Sequence, residues 1–255
     1  MKTLNRFTAL VLLLVMAGFS ACHTHYKLRE KETITSVIAL DSTFAEEDST
    51  ALAIIAPYKA SMTAEMEEVI AYADQALSKA QPEGLLNNFV TDLVLRMVDR
   101  YYTDEPVDLC LMNNGGLRSS LPKGEIKTKN VFELLPFENR LTIMHLSGSK
   151  TLGLFNYVAR EGGMPLSGAR MGIKEDAAVN ILIRGKALDT TATYRVVTVD
   201  YLADGGDKMN FFNNPLQRTD LPVLIREVMI LYLKELTAAG KTVNAELDGR
   251  VYYEQ

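Results

Sequence analysis

The sequence predicts an α+β fold (mixed α/β) of layered sheets covered by helices, and three observations carry that reading. Apolar runs of strand type alternate with stripes at helical spacing. The connections between them vary in length, which suits helices laid on sheet faces. Two strand-like runs end in loops that combine Gly-Gly with a charged side chain, Met112-Asn113-Asn114-Gly115-Gly116-Leu117-Arg118 and Asp200-Tyr201-Leu202-Ala203-Asp204-Gly205-Gly206-Asp207. Glycines let a backbone turn tightly and approach a ligand closely.

The chain begins with Lys2 and Arg6, then the apolar stretch Phe7 to Phe19, then Ser20-Ala21-Cys22. The stretch is shorter than the about 20 residues that span a bilayer. The pattern is that of a signal peptide, and the cysteine gives it the form of a bacterial lipoprotein signal. Residues 1–21 are therefore expected to be removed and Cys22 to become a lipidated N-terminus. An ordinary secretory signal cut nearby is the alternative, because Phe19 stands where an aliphatic residue is usual. Residues 22–49 read as a polar tether with one apolar patch, Val37-Ile38-Ala39-Leu40. The body is expected to run over 50–255, long enough for one large domain or two small ones.

Within the body, Met66, Val69, Ile70, Ala73 and Leu77 share a helical stripe, with Glu65, Glu67 and Glu68 ahead of it; this predicts a helix from Thr63 to Lys79. Gln81-Pro82-Glu83-Gly84 breaks the chain. A second helix is predicted from Leu85 to Tyr101, with Phe89, Val90, Leu93 and Met97 on one face. Val107–Met112 and Leu141–Leu146 read as strands. Asn130–Leu135 reads as a short helix capped by Thr128, and Thr151–Arg160 as another helix. Val179–Ile183 and Tyr194–Val199 are β-rich. Asp220 is a plausible N-cap for a helix from Leu221 to Leu236, with Pro tolerated near its start.

Composition excludes several function classes. The net charge of −5 comes without a Lys/Arg cluster of the density nucleic-acid binding needs. The chain has three histidines, His23, His25 and His145. It holds no Gly-Asn-His-Glu or Asp-x-His run, which argues against a catalytic two-metal site. His145 lies in an apolar run and reads as a satisfied or half-exposed strand histidine. Beyond Cys22, Cys110 reads as a small buried residue; a catalytic thiol would need an exposed position and a nearby base.

The two Gly-Gly loops do not stand alone. Ile55-Ala56-Pro57-Tyr58-Lys59, Asn88-Phe89-Val90-Thr91-Asp92, Lys129-Asn130-Val131-Phe132-Glu133-Leu134-Leu135-Pro136-Phe137-Glu138-Asn139 and Ser167-Gly168-Ala169-Arg170 accompany them in order. Together these segments resemble the C-terminal, substrate-binding domain of the secreted 5'-nucleotidase family, over about residues 50 to 255. The resemblance implies roles residue by residue. Phe137 and Tyr201, the latter commonly Phe in the family, would sandwich a base, a contact worth about 1–3 kcal/mol. Asp207 would accept hydrogen bonds from ribose hydroxyls, Asn113 would meet the base edge, and Arg118 the phosphate or ribose. Gly168 would permit close backbone approach beside the base. Each residue also has a plain structural reading. Asn113 can cap a turn, Asp207 can close one, Phe137 can be core, and Arg118 can pair with an acid such as Glu125.

The chain departs from the family in two places. Pro82 stands where an anion-binding Arg is usual, leaving Lys79 as the nearest cation, and Asn87 replaces the Gly of the first helix motif. There is also no sign of the family's metal-dependent hydrolase domain. The resemblance therefore implies no catalytic residue, metal or cofactor on this chain. It implies a lipid-anchored nucleoside- or nucleotide-binding module in the periplasm or cell envelope, acting with a separately encoded metallophosphoesterase that carries the divalent metals. The alternative is a pseudo-domain with a decayed pocket, serving as an interaction or structural lipoprotein.

Overall fold

Leu141 to Met144 and Val196 to Val199 are short apolar runs punctuated only by threonine, and all eight residues are buried. Strands covered on both faces read this way, and these two form the middle of the largest sheet. The computed structural model describes residues 49–255. The expected signal peptide, Cys22, the tether and its apolar patch lie outside the described residues. Thr50–Gln255 form one compact unit.

The large sheet has the order β10-β4-β9-β2-β5, built from β2 (Leu109–Leu111), β4 (Arg140–Ser147), β5 (Leu166–Ser167), β9 (Thr193–Val199) and β10 (Gln217–Leu224). Its β2–β9 pair is parallel and its other pairs are antiparallel. A second sheet has the order β11-β6-β7-β8, from β6 (Ala169–Lys174), β7 (Ala177–Ile183), β8 (Lys186–Ala187) and β11 (Val251–Tyr253). β1 (Val69–Ala73) and β3 (Gly124–Lys127) form an antiparallel pair of their own. The helices are α1 (Ser49–Met66), α2 (Leu85–Met97), α3 (Thr128–Leu134), α4 (Gly148–Arg160), the short α5 (Asp200–Ala203) and α6 (Ile225–Ala238). α2 packs on β2, β5 and α6, while α4 packs on β4 and β7. This is the layered α+β arrangement the sequence predicts. Phe155, Phe212, Leu86 and Leu93 are fully enclosed in its core. No described helix is long and apolar enough to cross a membrane.

Three predicted elements are corrected. Thr63–Lys79 is not a helix: α1 ends at Met66 and the chain then becomes β1. Ile70, Ala71 and Ala73 are buried while Tyr72 faces solvent. A ladder to β3, from Val69↔Lys127 to Ala73↔Gly124, satisfies the backbone. That partner lies far along the chain, where local periodicity cannot see it. The glutamates at this boundary face lysines from elsewhere: Glu67 meets Lys127 at 2.9 Å and Lys129 at 2.5 Å, and Glu68 meets Lys234 at 2.9 Å.

Asp220 is a strand residue opposite Thr142 and not a cap. Leu221 and Val223 point inward and Pro222 outward, so the segment has a strand's period of two. Pro222 is tolerated because β10 is an edge strand and its register slips there. The helix starts at Ile225, and Glu227 supplies the cap by accepting from the Leu224 N–H at 3.0 Å. Thr128 likewise is not the cap of α3. Asn130 accepts from the Lys127 N–H at 2.9 Å, and the Thr128 hydroxyl is buried without a partner.

Arg250 fastens the C-terminal segment to the body. Its guanidinium reaches Asp92 on α2 at 2.7 and 3.0 Å and Asp248 at 2.8 Å, with Glu83 close behind. Burial pulls the guanidinium pKa down, but the hydrogen bonds to Asp248 and Asp92 outweigh it and hold it above its ordinary value. Arg250→Met removes the partner of these acids and is expected to lower stability by about 3 kcal/mol. A urea titration reads this as a lower midpoint with an unchanged slope.

Hydrogen bonds from Lys127 and Lys129 lower the Glu67 carboxyl from 4.5 to about 2. A depressed carboxyl stabilises the fold above its unfolded value. That contribution is expected to disappear as pH falls from about 4.5 to about 2. Carboxyl NMR titration of the native chain against Glu67→Gln reads the displaced curve.

Candidate functional site

The sheet register brings three loops to one edge. β2 and β9 run parallel, with Leu109 beside Val196 and Cys110 beside Val197, so their C-terminal ends lie together. β4 runs against β9, with Leu141 beside Val199, so the segment entering β4 arrives at the same edge. From β2 issues the loop around Asn113–Arg118, from β9 the loop around Tyr201–Asp207, and into β4 leads Pro136–Asn139. Ligands of open α/β sheets commonly sit at such carboxyl ends.

The loops are bound to one another and to the body. The Arg118 N–H donates to the Leu134 carbonyl at 2.9 Å, and the Ile225 N–H to that of Asn139 at 3.0 Å. The Lys79 ammonium donates to the carbonyls of Asn114 (3.1 Å) and Leu117 (2.9 Å). Asn87 donates to the Asn114 side chain at 3.1 Å, and Asn114 to the Gly163 carbonyl at 3.0 Å. The Arg226 guanidinium lies 4.3 Å over the Phe132 ring and donates to the carbonyls of Leu135 (3.2 Å) and Pro136 (3.3 Å). It thereby sets the direction of the Pro136-Phe137 turn.

Between the loops lies a cleft of about 370 Å³. Five of the sequence-predicted residues line it: Asn113, Arg118, Phe137, Tyr201 and Asp207; Gly115, Gly116 and Asn139 complete the wall. The rings of Phe137 and Tyr201 are about half exposed, at 49% and 48%, so neither is a core side chain. Arg118 makes one long contact, 3.4 Å to the Gly115 carbonyl, and no ion pair among the described residues. Its charge is therefore free for an anion, and Glu125 does not claim it. Such a set, two rings with a few convergent polar groups, is the usual make-up of a small-molecule site.

Asp207 is the hub of the wall. Its backbone sits in the left-handed region (φ 52°, ψ 26°), and its carbonyl accepts from the Tyr157 hydroxyl at 2.6 Å. Its carboxylate accepts from the Asn113 amide at 2.5 Å and from the Tyr201 hydroxyl at 2.9 Å. The Asp207 bond raises the Tyr201 phenol above its ordinary pKa. Gly206 makes this geometry possible: a Cβ there would stand 2.5 Å from the Tyr201 carbonyl and 2.6 Å from its ring.

The sixth predicted residue, Gly168, lies elsewhere. It borders a separate cleft with Arg170 and Arg184. Its φ of +78° and a Cβ position 2.3 Å from the Asp108 carbonyl show why glycine is required there. The close approach that the structure shows is to the chain beside β2. Pro82 packs its backbone on Gly163 and Lys79 holds the 113–118 loop from behind, so neither lines the cleft. His145 hydrogen-bonds the Tyr102 hydroxyl at 3.0 Å. Cys110 is fully buried, which pushes its thiol well above its ordinary pKa, as a core residue requires. No group of three or more His, Cys, Asp or Glu side chains is placed to hold a metal ion among the described residues.

Asn139 was not singled out from the sequence, although it stands two positions after Phe137 in a segment that was. Of the residues that hold the loops, Asn114 lies in a loop the sequence singles out and Asn87 at a departure from the helix motif, but their holding contacts and those of Arg226 appear only in the folded chain.

The family model described as 5'-nucleotidase, C-terminal domain matches residues 63–214, and the chain belongs to that family. It is similar to the 5'-nucleotidase of Vibrio cholerae, 27% identical over 168 residues that cover 64% of this chain and 30% of the relative. It is also similar to the cell wall protein Lmo0130 of Listeria monocytogenes, 28% identical over 191 residues, 67% of this chain and 24% of the relative. Among solved structures it resembles a 5'-nucleotidase precursor from Thermus thermophilus, with a TM-score of 0.67 and 32% identity over 81% of this chain and 43% of that one. The chain thus spans less than a third of these curated relatives.

The contact at Gly206 gives a direct check of the site. Gly206→Ala is expected to push the Tyr201 ring off the loop and to cost about 1–3 kcal/mol, as overpacking does. Thermal unfolding reads the loss, and an unchanged melting curve contradicts the described contact.

Proposed function

We propose that this chain is a nucleoside-recognising specificity module of a 5'-nucleotidase-type phosphoester hydrolase, serving nucleotide catabolism at the cell envelope. The observation that supports it most is the convergence of five residues from three loops on one cleft: Phe137 and Tyr201 as ring faces, Asn113 and Asp207 as polar contacts, and Arg118 as an unpaired guanidinium. The rings take a base. Asp207 takes the sugar. Arg118 faces the phosphate.

In this reading the residues bind and orient, and bond cleavage belongs to a separately encoded metallophosphoesterase that carries the divalent metals and the attacking water. Contacts remote from the phosphate fix its position at the partner's metals, which is how binding energy away from the reacting bond accelerates a reaction. The leader of residues 1–21, followed by Cys22, supports attachment to a bacterial membrane by lipid. The similarity to a cell wall protein favours an exported location.

A second reading, an interaction lipoprotein whose pocket no longer binds, draws support from one feature. The usual second arginine is replaced by Pro82, and the Lys79 ammonium is committed to two backbone carbonyls.

Thermal shift separates the two. With adenosine or AMP at about 100 times Kd, the native chain is expected to gain about 2.7 kcal/mol. Phe137→Ala and Asp207→Ala are expected to abolish that gain. A flat response across nucleosides, nucleotides and nucleotide sugars favours the interaction lipoprotein. In a second assay, the purified chain with added divalent metal is expected to release no phosphate from AMP. Release would overturn the division of labour.

A further inference from the structure

The segment Ser167-Gly168-Ala169-Arg170 stands out in the sequence, and the nucleoside cleft does not use it. It borders a second cleft of about 410 Å³, where Arg170, Arg184 and Arg250 stand with a single acid, Asp248. This cleft lies where the chain enters β2: Gly168 approaches the Asp108 carbonyl, and Arg184 donates to that of Val107. The nucleoside cleft lies where the chain leaves β2, and the two share no lining residue. The β6–β7 ladder puts two of the arginines on one face. Ala169 pairs with Ile183 and Arg170 with Leu182. Met171 and Ile183 are buried, so the alternate positions, Arg170, Leu182 and Arg184, face outward. Arg184 is the diagonal neighbour of Arg170, about 7–8 Å away and within reach of a long side chain.

Neutral groups hold both side chains. The Arg170 Nε donates to the Gly249 carbonyl at 3.0 Å, and the guanidinium lies 4.9 Å over the Tyr252 ring. Arg184 donates through Nη2 to Val107. The acids close by are taken: Asp248 and Asp92 by Arg250, and Asp108 by Arg195. Neither Arg170 nor Arg184 has an ion pair among the described residues. Three cations thus face one anion in the lining, on a chain whose formal net charge is −5. Arg184 also sits in a backbone that suits it poorly. It opens the two-residue turn from β7 to β8, with φ 47°, followed by Gly185 at 76°. Asn, Asp or Gly is usual at such a position. The turn itself gives no reason for arginine; the reach of the guanidinium does.

We propose that Arg170 and Arg184 form a second anion site, which takes a phosphate dianion, free or as the exposed end of a phosphomonoester. The inference does not depend on the nucleoside reading. Arg170 keeps both terminal nitrogens for a ligand, and Arg184 keeps Nε and Nη1. A carboxylate is filled by one guanidinium fork. A tetrahedral phosphate has oxygens for two, and its double charge relieves the repulsion between them. Gly168 and Gly185 add no side chain to the cleft, so a solid anion can come close to the backbone.

Calorimetric titration of the full chain with inorganic phosphate, at constant ionic strength in chloride, tests the site. Arg118→Ala serves as the background, because it removes the free cation of the nucleoside cleft. Phosphate is expected to bind Arg118→Ala and to shift the backbone amide NMR signals of Gly168 and Gly185. Adding Arg184→Asn is expected to weaken that binding at least about tenfold, the loss of a charge-assisted hydrogen bond. Asn is at home in this turn, so the fold is kept. Arg170→Gln is expected to give the same loss from the other strand. Glycerol 2-phosphate distinguishes the two sources: affinity equal to that of phosphate assigns the end of an ester, and binding of phosphate alone assigns the free anion. Absence of phosphate binding to the native chain, its loss on Arg118→Ala alone, or an affinity unmoved by both Arg184→Asn and Arg170→Gln overturns the site. None of these results bears on nucleoside binding, which the thermal shifts above decide.

Discussion

The register between β2, β9 and β4 is the constraint on which the site depends. A parallel pair places two strand ends side by side, and an antiparallel third strand brings its beginning to the same place. A slip of one residue in either pair would turn Asn113, the Pro136-Phe137 turn or Tyr201 toward the wrong face. The continuous burial of Leu141–Met144 and Val196–Val199 on both faces resists such a slip. Loop chemistry is thus free to vary at the edge while the frame beneath it is fixed by packing.

Above that frame the polar groups hold one another. Lys79 and Asn87 stabilise the loop around Asn113–Arg118 from the body side, Arg226 stabilises the Pro136-Phe137 turn, and Asp207 gathers donors from both flanks. The Arg118 guanidinium is left out of this mutual satisfaction. An exposed guanidinium amid paired neighbours is consistent with a cleft that meets its anion from outside. The preorganisation carries a cost: groups already bonded to each other gain less from a ligand than free ones would.

Much of this was legible in the sequence, and the failures have physical causes. The strands at Leu109–Leu111, Arg140–Ser147 and Thr193–Val199 announce themselves by apolar runs, and α2 and α4 by their stripes. The loops were legible because Gly-Gly beside an acid or an arginine is a local signal. β1 was misread because Val69, Ile70 and Ala73 satisfy both a helical and a strand pattern, and only pairing with Gly124–Lys127 decides between them. Asp220 was misread because Asp before Leu-Pro looks like a cap, while the alternation of Leu221 and Val223 was the truer sign. For Gly168 the resemblance speaks of a ligand, while the need for glycine that the fold shows is the chain beside β2, which fills the space of a Cβ. The holding roles of Lys79, Asn87 and Arg226 join residues distant in sequence, and no local pattern encodes them.

The sheet order also governs how the site comes into being. β2, β9 and β4 must all be joined before the cleft has walls, and β9 lies far along the chain from β2. Closing such distant pairs is slow relative to forming helices. A chain in which only its helices and hairpins have condensed holds no cleft. A molecule that fits the cleft meets nothing to bind until the sheet is complete. Its influence then falls on departure from the native state and not on arrival: it slows the opening of the finished sheet and leaves the rate of assembly untouched.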